Sequence, residues 1–146
     1  MRAGMSGVLA IAALAGCAPP IDYDSANDAE RAAYLEAASQ GVYDGISSTL
    51  LKGRGGVYMK MGERSYDVGR RRIDIRVNVK FREEQPAFNN LMHSSSVLKD
   101  ICPKQYLGTP MERNDVKIYI RYAMEGGGTM LAIMLSPKDC APYAGA

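Results

Sequence analysis

Three cysteines, Cys17, Cys102 and Cys140, are the least ordinary chemistry in this chain, and their odd number means that one has a task other than pairing. No two stand as Cys-x-x-Cys and His93 is the only histidine, so neither a dithiol redox centre nor a cysteine–histidine metal site is spelled out. His93 sits in Met92-His93-Ser94-Ser95-Ser96, where Ser96, three residues on, would share its helix face. No Gly-x-Ser-x-Gly turn or oxyanion arrangement accompanies them, so His93 reads as a surface or half-buried residue and no catalytic residue is assigned. Glu83-Glu84 precede Pro86 and suit a helix N-terminus rather than acid–base work. The glycine runs at 53–56 and 126–128 lack the strand–loop–helix setting, with lysine and serine or threonine, of a phosphate loop, and read as turns. The charged feature that stands out is Arg70-Arg71-Arg72, continued at even spacing by Arg76, Lys80 and Arg82. On a strand these would form one solvent face, which Tyr58, Tyr119 and Arg121 could join. Arg72, Arg76, Lys80 and Arg121 are therefore candidates for binding an acidic partner protein, lipid headgroups or cell-wall polymer, against the plainer reading of a solubilising or edge-protecting face.

The N-terminus accounts for the odd cysteine. Met1-Arg2 carries one positive charge, Gly4 to Leu14 carry none, and the stretch ends in Leu14-Ala15-Gly16-Cys17. Such a run suits a signal-peptide h-region and is too short to span a bilayer. An aliphatic residue, two small residues and a cysteine in this context resemble the lipobox of bacterial lipoprotein precursors. The resemblance implies that residues 1–16 are cut away and that Cys17 carries acyl chains on its sulfur and its new amino group. Two or more such chains anchor a protein stably, at about 0.8 kcal/mol per buried methylene. Ala18, rather than aspartate, follows the cysteine, which in this class implies delivery to the outer membrane. The single charge of the n-region, Arg2, departs from the class. With Cys17 given to lipid, Cys102 and Cys140 remain as an even pair in an oxidising compartment, where a structural disulfide is expected.

These residues need elements to hold them. Residues 17–26 read as a lipidated tether, extended by Pro19-Pro20, and 27–146 as a single domain. Ser25 and Asp28 resemble a capping box, and Ala32, Leu35, Val42, Ile46 and Leu50 mark one face of a helix from Asp28 to about Lys52. Gly41 and Gly45 weaken its middle and allow either a break or the close approach of a neighbouring strand. Val57, Met59 and Met61 suggest a short strand, with a turn near Gly62-Glu63 leading to a partner at Tyr66 to Val68. Ile73, Ile75, Val77, Val79 and Phe81 alternate with polar residues, the pattern of a strand with one face on a core. A second helix is expected from Pro86, with Phe88, Leu91, Met92, Ser95, Leu98 and Cys102 inward, stopped by Pro103. Val116, Ile118, Ile120, Tyr122 and Met124 mark the first strand of a hairpin that turns at Gly126-Gly127-Gly128. Its return strand, Thr129 to Leu135, is apolar on both faces and reads as central or covered.

The chain has 146 residues, 47% hydrophobic and 23% charged, with net charge +2, which fits one globular domain and argues against a nucleic-acid partner. The element order predicts an α+β fold, a mostly antiparallel sheet of three to five strands with two helices on one face, as a two-layer sandwich. With no catalytic constellation, metal set or cofactor motif, the expectation is a non-enzymatic envelope lipoprotein. It would be held in the outer membrane by N-terminal acyl chains and would bind another envelope protein through its basic sheet face or an exposed sheet edge, as an accessory or pilot-type subunit. A small periplasmic hydrolase or small-ligand binder, with a pocket between sheet and helices, is the alternative.

Overall fold

The computed structural model describes residues 20–50, 57–81 and 94–145. The signal segment, Cys17, Arg82, the expected helix start near Pro86 and His93 lie outside the described residues.

Helix α1 spans Asp28–Thr49. Its cap is Asn27 rather than Ser25. The Asn27 side chain accepts the Glu30 N–H at 2.9 Å, and Glu30 Oε2 accepts the Asn27 N–H at 2.9 Å. Glutamate three residues past the cap reaches back to the cap's own N–H, which the shorter aspartate of a Ser25 start does less well. Tyr34, Leu35, Ala38, Val42 and Ile46 form the buried stripe. Gly45 does not break the helix. It admits Gln105, whose side chain would lie 2.3 Å from a Cβ at that position.

The next segment is one long strand, β1 (Val57–Asp67), in place of the expected short hairpin. Its register against β2 (Arg72–Phe81) shifts between Met61 and Arg64, so Gly62-Glu63 forms a bulge rather than a turn. A Cβ on Gly62 would meet Asn78 Nδ2 at 2.8 Å and the Arg76 carbonyl oxygen at 3.1 Å, so the backbone approach there needs glycine. After β2 come α2 (Ser94–Ile101) and a wider, π-helical turn over Cys102–Tyr106. Pro103 therefore does not end the helical path; it sits at the start of that turn, where a missing N–H matters least. Val97, Ile101 and Cys102 face inward, whereas Ser95, expected inside, is exposed. A short helix α3 (Pro110–Arg113) leads to β3 (Lys117–Met124) and β4 (Thr129–Leu135), followed by α4 (Pro137–Cys140) and a 3-10 turn over Ala141–Tyr143.

The fold is α+β, with a four-stranded sheet in the order β1-β2-β3-β4. β1–β2 and β3–β4 are antiparallel, but the central pair β2–β3 is parallel. The sheet is thus mixed rather than mostly antiparallel, because the connection that carries α2 returns the chain to the starting end of β2 before β3 begins. Among the described residues β4 lies at an edge of the sheet rather than in its centre, with β3 as its strand neighbour. The core joins Ile73, Ile75 and Val77 of β2 and Ile118 and Ile120 of β3 to the α1 stripe, with Val97, Ile101 and Tyr106 in the same cluster.

Candidate functional site

Alternation on β2 sends Ile73, Ile75, Val77 and Val79 into the core and leaves Arg72, Asp74, Arg76, Asn78 and Lys80 on the opposite face. Parallel registry with β3 then sets Lys117 beside Arg72, Tyr119 beside Asp74 and Arg121 beside Arg76. Across the other side of β2, Tyr58 lies opposite Lys80 and Lys60 opposite Asn78. The four residues singled out from the sequence, Arg72, Arg76, Lys80 and Arg121, therefore share one sheet face.

Their charges are met unequally. Arg72 Nε donates to Asp74 Oδ2 at 2.9 Å, and its guanidinium lies 5.7 Å from the centre of the Tyr119 ring. Lys60 donates to Glu125 Oε1 at 2.6 Å, and this bond, with the lysine's charge and that of Lys80 nearby, holds the Glu125 carboxyl below its usual range. Arg76 turns toward Asn78 Oδ1 at 3.0 Å and reaches the carbonyl oxygens of Met124 and Gly127, bracing the glycine turn between β3 and β4. Arg121 stands directly across from Arg76, a like-charge pairing that is unfavourable unless something offsets it. Its guanidinium lies 6.0 Å from the Tyr119 ring centre, and its buried Nε has no hydrogen-bond partner among the described residues. A cation held this way beside a second arginine, on a half-buried face, is suited to receive an anionic group.

The disulfide expected between Cys102 and Cys140 is present, with Cα atoms 5.4 Å apart. It joins the π-helical turn after α2 to the end of α4, and both residues are fully buried. It is structural in placement and lies in the core, away from the basic face.

Two residues, Tyr23 from the expected tether and Asn114 just before β3, organise one end of the domain. Tyr23 is 2% exposed and Asn114 clamps the segment around it. Tyr23 N–H donates to Asn114 Oδ1 at 3.0 Å, while Asn114 Nδ2 donates to the carbonyls of Ile21 at 3.0 Å and Pro110 at 2.9 Å. The Tyr23 hydroxyl donates to Val68 O at 2.7 Å, and the guanidinium groups of Arg31 and Arg71 lie 5.3 and 4.8 Å from its ring centre. Arg71 also pairs with Asp24. Residues 21–26 thus belong to the folded body. The apolar–aspartate–tyrosine pattern Ile21-Asp22-Tyr23 was the only local hint.

Among the described residues, no three His, Cys, Asp or Glu side chains gather where they could hold a metal ion, and no helix is long and apolar enough to cross a membrane. No known protein family, characterised protein or solved structure matches this chain.

Proposed function

We propose that this chain is an envelope lipoprotein with a non-catalytic binding or assembly role. It is tethered to the outer membrane through acylated Cys17 and presents its basic sheet face to an acidic surface of another envelope protein. In this reading the domain is a two-layer sandwich with its helices on one side, so that the face bearing Arg72, Arg76, Lys80 and Arg121 is the presented one. The observation that carries it is Arg121, side by side with Arg76 and matched within the described residues only by an aromatic ring. Such aromatic–arginine surfaces are typical of protein contacts.

The clamp on Ile21 shapes how the tether works. Only Ala18, Pro19 and Pro20 separate Cys17 from Ile21, so four residue steps place the folded body within about 14 Å of the lipidated residue. The domain is held close to the bilayer by the end that carries Tyr23, Arg71 and Asn114. The glycine turn after β3, eight residues of strand away, points outward. Confinement to the membrane plane raises the effective concentration toward a membrane-bound partner.

Two measurements test this in cells expressing the full chain. Intact-mass analysis of the membrane fraction should find an N-terminus at Cys17 carrying acyl chains, absent after Cys17→Ser; an uncleaved, unmodified N-terminus refutes the anchor. A photocrosslinking residue at Tyr119 should capture one envelope protein with an acidic surface, and the capture should fade at high salt and vanish with Arg121→Glu. If the same chain is captured equally from exposed Ala33 on α1, or survives Arg121→Glu, the basic face is not the docking surface.

A further inference from the structure

β3 carries a pattern of its own on the basic face. Its outward residues are Lys117, Tyr119 and Arg121, alternating with the buried Ile118, Ile120 and Tyr122. Side chains four residues apart on a strand share a face and stand about 13 Å apart, at roughly 3.3 Å per residue. Lys117 and Arg121 are therefore two cations at a fixed separation with an aromatic ring midway. Neither makes an ion pair among the described residues.

The neighbouring strands sharpen this row. Parallel register sets Arg72 beside Lys117 and Arg76 beside Arg121, so each end is a like-charge rung, unfavourable unless an anion joins it. Asp74 engages Arg72, and the carbonyls of the glycine turn engage Arg76. The cation left at each end is thus the one on β3. Between the rungs the sign reverses, because Asp74 stands beside Tyr119. On the other side of β3, Tyr119 lies across from the half-buried Met134 and Arg121 from the small, exposed Ala132. The ends of the row favour negative charge, whereas its centre offers an aromatic and a thioether side chain and repels a carboxylate.

We propose that the occupant of this face is an extended acidic segment of the partner protein, laid along β3. Its carboxylates stand four residues apart, at Lys117 and Arg121, and an uncharged aromatic or apolar side chain between them packs on Tyr119. In an extended segment the first, third and fifth side chains all face the sheet, which matches the row. An α-helix with the same sequence spacing sets its carboxylates only about 6 Å apart along its axis and reaches one end alone. Arg121 holds its carboxylate through a planar fork and Lys117 as a point charge. The inference rests on the reading of the basic face as a docking surface and adds the shape and spacing of what docks there.

The experiment titrates the full chain, purified in detergent at low salt, with end-capped peptides while following the β3 amide resonances. The probe is Glu-Ser-Phe-Ser-Glu, whose side-chain order reads alike in both directions. Its isomers Ser-Glu-Phe-Glu-Ser and Glu-Glu-Phe-Ser-Ser carry the same charge at other spacings. The probe should bind at least about fivefold more tightly than either isomer. Lys117→Gln and Arg121→Gln should each erase that preference, with unchanged far-UV circular dichroism, because one remaining cation treats the three peptides alike. A probe with glutamate in place of its phenylalanine should bind the wild type more weakly despite the added charge, and Asp74→Asn should recover it. Equal affinities for the three isomers, or a preference that survives Lys117→Gln, would overturn the spacing. If the crosslinker at Tyr119 then still captures a partner that Arg121→Glu releases, the docking face stands without the extended segment; if that capture fails as well, both readings fall.

Discussion

The backbone N–H of Tyr23 donates to Oδ1 of Asn114 at 3.0 Å, joining residues 91 positions apart. Asn114 makes two further bonds from its amide nitrogen, so one side chain satisfies three backbone groups of two distant segments. Asn114→Ala strands the Tyr23 N–H and the Ile21 carbonyl in a partly buried setting, where an unmet group costs about 1–3 kcal/mol, while the Pro110 carbonyl keeps the backbone bond from the N–H of residue 114. The expected loss is about 2–3 kcal/mol, read as a fall in Tm of roughly 5–10 °C. Asn114→Asp keeps the acceptor for Tyr23 but not the donor for Ile21 and Pro110, and should fall between. Equal Tm values for wild type and Asn114→Ala would show that the clamp adds nothing.

Arg71 adopts φ 49°, in the left-handed region, at the turn from β1 into β2. For a residue with a Cβ that conformation costs about 1–2 kcal/mol. The position nonetheless holds arginine, whose side chain pairs with Asp24 and lies over the Tyr23 ring. Arg71→Ala keeps the strain and loses both contacts; Arg71→Gly loses the contacts and relieves the strain. Urea denaturation should therefore rank wild type first, then Gly, then Ala, with Gly above Ala by about 1 kcal/mol. The reverse order for the two variants would mean that the turn relaxes when the arginine is removed.

These two sites show where sequence reading works and where it stops. The alternation from Ile73 to Val79 is a local pattern, and it placed β2, its core face and the Arg72–Arg76–Lys80 stripe correctly. The Cys102–Cys140 bond followed from cysteine arithmetic once Cys17 was set apart. Direction of pairing is not local. Nothing within Ile118 to Tyr122 says that β3 runs parallel to β2, since the same alternation serves either direction. That β4 lies at an edge of the sheet rather than in its centre is not local either: an all-apolar strand signals that its faces are covered, but not how many strands flank it. Ile21 and Tyr23 look like tether because their partner, Asn114, is so far away in the chain. Ser25 and Asn27 are both good caps, and only the side-chain reach of Glu30 separates them.

The disulfide closes a loop between residues 38 positions apart. In the chain-entropy account that constrains the unfolded state by about 4 kcal/mol, a large share of a small domain's stability. Replacing both cysteines with serine should therefore lower the unfolding free energy by an amount close to that, and reductant should do the same to the wild type but nothing to the double variant. Because the loss acts through the unfolded chain, the m value should rise as that chain expands. A midpoint unchanged by reduction would assign the stability to the core alone.

Alkaline pH offers a test of the buried tyrosines. Burial pushes Tyr122 up to about 12, and desolvation is the leading cause that also raises Tyr23, Tyr34 and Tyr106. A phenol with a native pKa above its unfolded value near 10 holds its proton more tightly in the folded state. Its contribution is whole below pH 10 and is lost as pH rises from there through the native pKa. For Tyr122 the gap corresponds to roughly 2–3 kcal/mol. Stability should thus be level between pH 8 and 9.5 and fall steeply from pH 10 to 12, with phenolate absorbance at 295 nm appearing in step with loss of structure rather than ahead of it. Tyr122→Phe should flatten part of that slope while leaving the neutral-pH plateau lower or unchanged. Smooth ionisation of every tyrosine near pH 10, with the fold intact, would mean that water reaches the core side of β3.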